Sequence, residues 1–207
     1  MLVKLDADLS VMFGSQLFLR KQFLDPATNA GLEKAIRTRA SAQAGVRVSN
    51  TGGWQSEPDF FDWPEPEVRK LATELDRAIQ HLVSFGQAAP VALKLHRAGW
   101  ANINRAGDYN SLHNHPDQHL AVVYYVKASI PGSVGAPDGL LELRDPRPAA
   151  GFSNCPTLFN AYPLRIAPEP GMLVMFPAWI DHMVHPHHGP EDRISLAINI
   201  KLVDFNG

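Results

Sequence analysis

The chain has 207 residues, of which 45% are hydrophobic, and a formal net charge of −2 at pH 7. That length and composition suffice to fill one sizeable core, and the near-neutral charge argues against a nucleic-acid partner or a membrane surface. The single cysteine, Cys155, excludes an internal disulfide framework and a cysteine-rich zinc site, which favours a reducing, cytoplasmic compartment.

Neither a secretion signal nor a membrane span is predicted. Residues 1–23 lack the basic start, the long apolar run and the small-residue cleavage site of a signal peptide. No stretch reaches the ~18–20 apolar residues that a membrane-spanning helix needs. We therefore expect no membrane partner.

The first predicted elements are a short strand and a helix. Residues 13–23 indicate a strand that enters a turn at Asp25-Pro26. Asp25 can cap a helix whose first position is Pro26, where the missing N–H group costs nothing. The spacing of apolar residues continues as a helix until Gly45 ends it.

A polar loop is predicted at residues 49–56, and a second helix opens at Pro64 or Pro66. Its apolar residues recur at the spacing of one buried helical face. They are Val68, Leu71, Ala72, Leu75, Ala78, Ile79, Leu82 and Val83.

From about residue 91 the chain consists of short β-like runs divided by Gly, Pro, Asn and Asp. The runs are Leu93–Asn104, Leu120–Val126, Leu140–Leu143, Tyr162–Ile166, Met172–Phe176 and Ile194–Val203. This spacing predicts an all-β sandwich or jelly roll. We expect one domain over residues 1–207, with a helical part (1–90) packed on a β core (91–207).

Seven of the nine histidines fall in two short clusters, and neutral imidazole is the commonest protein ligand for a borderline metal. The clusters are His113, His115 and His119, and His182, His185, His187 and His188. His113 and His115 lie on one face if their segment is extended. We expect His119 to take no part, and His187 and His188 to be exposed in a loop.

An arginine follows the second cluster. Arg193 and Ser195 lie on the same face of the last predicted strand. A guanidinium that points into a sandwich needs an anion, because a buried unpaired charge is strongly unfavourable. A carboxylate, bound through two hydrogen bonds, matches it best. The residues thus predict a metal centre that holds an anionic co-substrate.

Together these features resemble the Fe(II)/2-oxoglutarate-dependent oxygenases. Gly107 precedes His113 by six residues, as in that family, Phe176-Pro177 precedes the distal His182, and Arg193 follows at the spacing of the residue that pairs with 2-oxoglutarate. The resemblance implies a double-stranded β-helix fold, Fe(II) and 2-oxoglutarate as cofactors, and O₂-dependent oxidation, most simply hydroxylation, of a small molecule or a side chain. It also implies that the Tyr125 hydroxyl contacts the same carboxylate as Arg193.

A narrower resemblance covers nearly the full length. A set of short motifs, in this order and spacing, resembles a bacterial and phage subfamily of these oxygenases with prolyl-hydroxylase-like motifs. They are Ser49-Asn50, Gly53-Trp54-Gln55-Ser56, Trp100-Ala101-Asn102, His113-x-His115-Pro116, Val123-Tyr124-Tyr125, Asp145-Pro146-Arg147, Phe176-Pro177-x-Trp179 and His182-x-Val184-x-Pro186.

The resemblance leads to a set of expected site residues. We expect Arg193, Ser195, Tyr125, Asn104 and Asn110 to bind the co-substrate. We expect Asn102, Trp100 and Trp179 to form the substrate pocket, and no catalytic residue beyond the metal centre.

The third metal ligand departs from the family pattern. His115 stands where that family has Asp or Glu, so three neutral imidazoles would leave the iron more positive. The alternative is that Asp117 supplies a carboxylate, with the motif shifted by two residues. We favour His113, His115 and His182, because Pro116 turns the chain and carries Asp117 off the ligand face.

Two other functions fit the same residues. One is a cupin-like three-histidine metalloenzyme that does not use 2-oxoglutarate; it accommodates His115 but leaves the spacing of Arg193 from His182 unexplained. The other is a non-catalytic module that holds a metal or a small ligand on the same fold, for which a closed four-coordinate site would be expected.

Overall fold

The computed structural model describes residues 14–85, 92–128, 138–148, 152 and 162–206. Its helices are α1 (Pro26–Ala42) and α2 (Pro66–Val83), with a 3₁₀ turn at Phe60–Asp62. Its strands are β1 (Phe18–Arg20), β2 (Asn50–Thr51), β3 (Trp54–Gln55), β4 (Ala92–Asn104), β5 (Tyr109–His113), β6 (Leu120–Lys127), β7 (Leu141–Leu143), β8 (Leu164–Ile166), β9 (Leu173–Pro177), β10 (His182–Val184) and β11 (Arg193–Asn206). Cys155 lies outside the described residues.

The strands form two antiparallel sheets. One has the order β1-β9-β6-β11-β4-β3, and the other has the order β2-β5-β10-β7-β8. This mainly-β jelly roll, or double-stranded β-helix, with two helices is the architecture that the sequence predicts. The sheets include β1, β2 and β3 from the first 90 residues, so the N-terminal part contributes more than helices. Within the described residues, no helix combines the length and apolarity that crossing a membrane requires.

Alternation along β6 and β11 divides the apolar residues between two cores. On β11, Ile194, Leu196, Ile198 and Ile200 pack with the helices in the larger core. On β6, Tyr124 belongs to that core, whereas the next residue, Tyr125, belongs to the smaller core between the sheets. Because successive side chains of a strand point to opposite faces, one sheet separates the helical layer from the interior of the jelly roll.

Helix α1 begins as predicted. The Asp25 side chain accepts a hydrogen bond from the Thr28 N–H at 3.0 Å, and Pro26 occupies the first turn. The helix docks on β6 through Asn29, whose amide donates to the Val126 carbonyl at 2.8 Å and accepts from the Tyr124 hydroxyl at 2.8 Å. These bonds join the helical layer to the sheet that carries Tyr125.

The prediction of a polar loop at residues 49–56 is wrong in part. That segment contains β2, which pairs with β5, and β3, which pairs with β4 in the other sheet. Gly53 has φ +63°, and a Cβ atom there would lie 2.6 Å from the Ile103 carbonyl oxygen, so the crossing needs glycine. Strands of two residues are too short to show an alternating pattern.

The Tyr124 hydroxyl gives the first prediction. Tyr124→Phe leaves the Asn29 oxygen without its donor, so we expect the free energy of unfolding to fall by about 1–2 kcal/mol. Urea denaturation followed by circular dichroism measures it. In an Asn29→Ala background, the same substitution should lower the free energy of unfolding by clearly less. Equal losses in both backgrounds would mean that the pair contributes nothing.

Candidate metal centre and active-site pocket

Three histidines meet at one end of the second sheet. His113 ends β5 and His182 begins β10, and the two are direct partners in the antiparallel pairing. His115 follows two residues after the strand end, where its backbone N–H donates to the Ala178 carbonyl at 3.0 Å. One ring nitrogen from each histidine lies within 4.8 Å of the other two, so these residues can hold a metal ion together.

Backbone carbonyls orient two of the three rings. His113 Nδ1 lies 2.7 Å from the Ser111 oxygen, and His182 Nδ1 lies 2.9 Å from the Ile180 oxygen. A carbonyl only accepts hydrogen bonds, so each Nδ1 carries the proton and each Nε2 keeps its lone pair. Ligating histidines commonly have this arrangement, which fixes both the tautomer and the ring plane.

Burial keeps the imidazoles of His115 and His182 neutral. Burial, and then the neighbouring His113, lowers the pKa of His115 to about 4. Burial also lowers the pKa of His182 to about 3, although its bond to the Ile180 carbonyl acts in the opposite direction. Both rings are therefore uncharged at neutral pH, which is the form that binds metals.

Asp117 does not meet the histidines. Its side chain is 79% exposed and accepts a hydrogen bond from Lys201 Nζ at 2.6 Å, which lowers the pKa of the carboxyl. Its φ of +64° follows the turn that Pro116 begins. The described metal-binding group accordingly contains His113, His115 and His182 without Asp117.

The other clustered histidines have separate surroundings. His119 Nδ1 accepts from the Leu202 N–H at 3.0 Å, and His185 Nε2 lies 2.9 Å from a Glu142 carboxylate oxygen. His188 is exposed, as predicted. The prediction that His187 is exposed is wrong. Only 2% of it is accessible, because its ring turns inward and donates from Nε2 to the Glu191 carbonyl at 2.6 Å.

Arg193 is fully buried, with 1% of its surface exposed. Its Nη1 donates to the Ser195 hydroxyl at 3.2 Å, and its guanidinium carbon lies 5.1 Å from the centre of the Tyr125 ring. Neither Nε nor Nη2 makes a hydrogen bond of good geometry with a described residue, and the same is true of the buried Tyr125 hydroxyl. Burial raises the pKa of Tyr125, so its hydroxyl keeps its proton as a donor.

A cavity of about 470 Å³, including its open mouth, connects the histidines with Arg193. It lies between the two sheets. Its lining consists of Ser49, Trp100, Asn102, Asn110, His113, His115, Ala121, Val122, Val123, Leu141, His182, Val184, Arg193, Ser195, Ala197 and Ile198. The three histidines and a buried cation therefore face one shared cavity.

The cavity brings together most of the predicted pocket residues. Trp100 and Asn102 line it, and the Trp100 ring lies edge-on to His115 with 6.0 Å between ring centres. Asn104 is buried and pairs with Arg193 across the β4–β11 ladder, but it is not part of the lining. Trp179 is 53% exposed and also lies outside the lining.

Some lining residues were not identified as site residues from the sequence. Ser49 precedes β2 and reaches the cavity because β2 pairs with β5. Its place in the Ser49-Asn50 motif was the only signal that pointed to it. Leu141 and Val184 form part of the apolar wall from the second sheet. Both also belong to the smaller core, so nothing in the sequence distinguishes them from its other apolar residues.

A family model described as "Putative 2OG-Fe(II) oxygenase" matches residues 98–199. The match runs from the middle of β4 to the middle of β11 and contains all three histidines, Arg193 and Ser195. Over these residues the chain belongs to the 2-oxoglutarate/Fe(II) oxygenases. It is therefore an oxidoreductase that uses iron and 2-oxoglutarate.

Solved structures of low sequence identity show the same fold. A prolyl-4-hydroxylase of Pseudomonas putida is 14% identical, with a TM-score of 0.64, over 89% of this chain and 91% of that one. A viral collagen prolyl hydroxylase of Paramecium bursaria Chlorella virus-1, solved as a 2-oxoglutarate complex, is 16% identical, with a TM-score of 0.61, over 92% and 98%.

The α-ketoglutarate-dependent epimerase SnoN of nogalamycin biosynthesis is 14% identical, with a TM-score of 0.64, over 90% of this chain and 77% of that one. The same fold thus carries both hydroxylation and epimerisation in its relatives. A comparison with curated proteins finds no significant match.

The metal ligands give the second prediction. Purified protein should bind about one Fe(II) per chain, and His182→Ala and His115→Ala should each lose it, because two neutral ligands hold iron weakly. Asp117→Ala is the matched control and should keep most of the metal. Anaerobic loading followed by metal analysis measures occupancy. Iron lost from the Asp117 variant and kept by the His115 variant would reverse the assignment.

Proposed function

We propose that His113, His115 and His182 hold Fe(II), that Arg193 binds the distal carboxylate of 2-oxoglutarate, and that the enzyme hydroxylates a small molecule or a side chain. One observation carries the proposal. A fully buried guanidinium lines the same cavity as the three histidines, and its Nε and Nη2 make no hydrogen bond of good geometry with a described residue. Neither a cupin-like enzyme without 2-oxoglutarate nor a non-catalytic metal-binding module requires both features.

The polar groups around Arg193 fit a carboxylate. The Ser195 hydroxyl accepts from Arg193 but carries no charge. A buried guanidinium without a negatively charged partner is strongly unfavourable, so the site needs an anion. Two N–H groups of one guanidinium can bind both oxygens of a carboxylate. The Ser195 hydroxyl and the protonated Tyr125 hydroxyl supply further donors beside it. A five-carbon diacid could satisfy this end with one carboxylate and leave its keto-acid end for the metal.

The described residues provide the remaining requirements of the reaction. Iron held by the three histidines, together with 2-oxoglutarate, would supply the activation of O₂, and the overall reaction would convert substrate C–H, O₂ and 2-oxoglutarate to C–OH, succinate and CO₂. Ser111 and Ile180 fix two histidine rings through their carbonyls. Leu141 and Val184 form an apolar part of the cavity wall, which would exclude water from the bound co-substrate.

We assign the substrate to the open side of the cavity. Trp100 forms a wall beside His115, and the Asn102 amide oxygen is buried without a hydrogen-bond donor among the described residues. A substrate N–H or O–H group would satisfy that oxygen. Asn110 lines the cavity from β5, and Asn104 lies opposite Arg193 on the neighbouring strand, which supports a role for both in shaping the space that 2-oxoglutarate would occupy. Trp179, being exposed, would contribute only at the rim.

The net charge and the cysteine content bear on location and partners. The net charge of −2 and the single cysteine support action in a reducing compartment, the cytoplasm, on a substrate other than nucleic acid. Substrate and O₂ are the partners that the reaction requires.

Arg193 gives the third prediction. Arg193→Leu should raise the dissociation constant of 2-oxoglutarate by about two orders of magnitude or more and leave iron binding nearly unchanged, because charge-assisted hydrogen bonds contribute about 1.5–3 kcal/mol each. Lys should rescue only in part, since an ammonium cannot bind both oxygens. The measurement is anaerobic calorimetry of 2-oxoglutarate with Fe(II)-loaded protein. Absence of binding by the unmodified protein would favour the cupin-like enzyme instead.

Two adjacent tyrosines give the fourth prediction. Tyr125→Phe should weaken 2-oxoglutarate binding about 10-fold, because it removes one donor to a charged group. Tyr124→Phe is the matched control: its hydroxyl bonds Asn29 on the other face of β6, so it should lower stability and leave affinity unchanged. Equal effects of the two variants on affinity would remove Tyr125 from the site.

A further inference from the structure

The described residues that line the cavity carry no negative charge. Its lining contains histidines, asparagines, serines, apolar residues and one arginine, and neither aspartate nor glutamate. Because the third histidine, His115, stands where a carboxylate would have neutralised part of the metal's charge, the metal centre is more cationic than a site with two histidines and a carboxylate. Any negative charge that balances the metal and Arg193 must therefore come from bound ligands.

Described carboxylates near the ligands in sequence are occupied elsewhere. Asp181 precedes His182, but it is exposed to solvent and accepts from the Asn114 amide at 2.7 Å. Glu142, on the strand next to β10, pairs with His185 and Arg165. Asp117 pairs with Lys201. None of these three lines the cavity, and water screens the exposed ones. The buried Asp138 also lies outside the lining, where its carboxylate accepts from the His188 N–H at 2.8 Å.

The charges in the loaded cavity, which rest on the proposed function, do not cancel. A divalent metal with three neutral imidazoles and the Arg193 guanidinium bring three positive charges, and 2-oxoglutarate brings two negative ones. One positive charge remains in a space that lies between buried residues of both sheets. At low effective dielectric, an uncompensated charge attracts a counterion strongly.

We infer that the cavity binds one further monoanion beside 2-oxoglutarate, on the side of the metal that faces the mouth. The ligand is a carboxylate of the substrate or a small inorganic anion, and both satisfy the same charge. His113 and His115 are partly exposed whereas His182 is buried, so the accessible side of the centre is theirs. Trp100 borders this side. Where the anion is a carboxylate of the substrate, the substrate is a molecule with an acidic group close to the oxidised carbon.

The test uses Co(II)-loaded protein saturated with 2-oxoglutarate, whose visible spectrum reports the metal's ligands. Sodium azide, sodium acetate and neutral acetamide are added in turn. We expect azide or acetate to change the spectrum and bind saturably, and acetamide to have no effect. If azide and acetate both bind and compete with each other, the site accepts carboxylates as well as inorganic anions. Binding by azide alone assigns it to a small inorganic anion.

A charge-restoring variant provides the comparison. His115→Asp returns a negative ligand to the metal, so the dissociation constant of azide should rise about 10-fold or more while Co(II) and 2-oxoglutarate still bind. His119→Asp introduces the same charge nearby, where the new carboxylate can still accept from Leu202 N–H, and it should leave azide binding unchanged.

Distinct results would overturn the two proposals. Failure of the unmodified protein to bind Co(II) or 2-oxoglutarate overturns the proposed function and this inference with it. Normal binding of both, with no response to azide or acetate, or with equal responses to acetate and acetamide, overturns the inference alone. If His115→Asp does not retain the metal, the comparison of acetate with acetamide in the unmodified protein still decides.

Discussion

The two-sided packing of β11 is the constraint on which the rest of the structure depends. This strand pairs with β4 on one side and β6 on the other, and its side chains alternate between the helical core and the cavity. Ile194 and Leu196 anchor the strand in the larger core, so Arg193 and Ser195 are held on the opposite face. The hydrophobic burial that stabilises the fold thereby keeps a cation in an apolar interior, where only an anionic ligand satisfies it.

The metal centre depends on a second constraint, the pairing of β5 with β10. That pairing sets His113 opposite His182. The hydrogen bond from the His115 N–H to the Ala178 carbonyl holds the third histidine beside them. The two groups of functional residues stand on different sheets, with the cavity between them. The distance between the histidines and Arg193 is therefore determined by the packing of the two sheets, and no local segment of the sequence determines it.

Much of this could be predicted from the sequence because the signals are periodic or chemically distinctive. The capped start of α1, the apolar face of α2 and the alternation of β11 each report on a face that is buried over many residues. The histidine spacing and Arg193 report on chemistry. The two-residue strands β2 and β3 and the inward turn of His187 could not be predicted, because they depend on contacts with Ile103 and Glu191 that are distant in the chain or made by the backbone.

The adjacent tyrosines of β6 have a consequence for how such a protein can change. Tyr124 joins the sheet to a helix and Tyr125 faces Arg193, and only the two-residue repeat of the strand keeps them apart. A one-residue insertion or deletion within β6 would turn each following side chain to the opposite face of the sheet, so that the tyrosine that contacts α1 and the tyrosine that faces Arg193 would change places. The length of this strand is thus as restricted as its composition. Insertions and deletions should be tolerated in the connections between strands, where the shape of the pocket can vary while the strand register is kept.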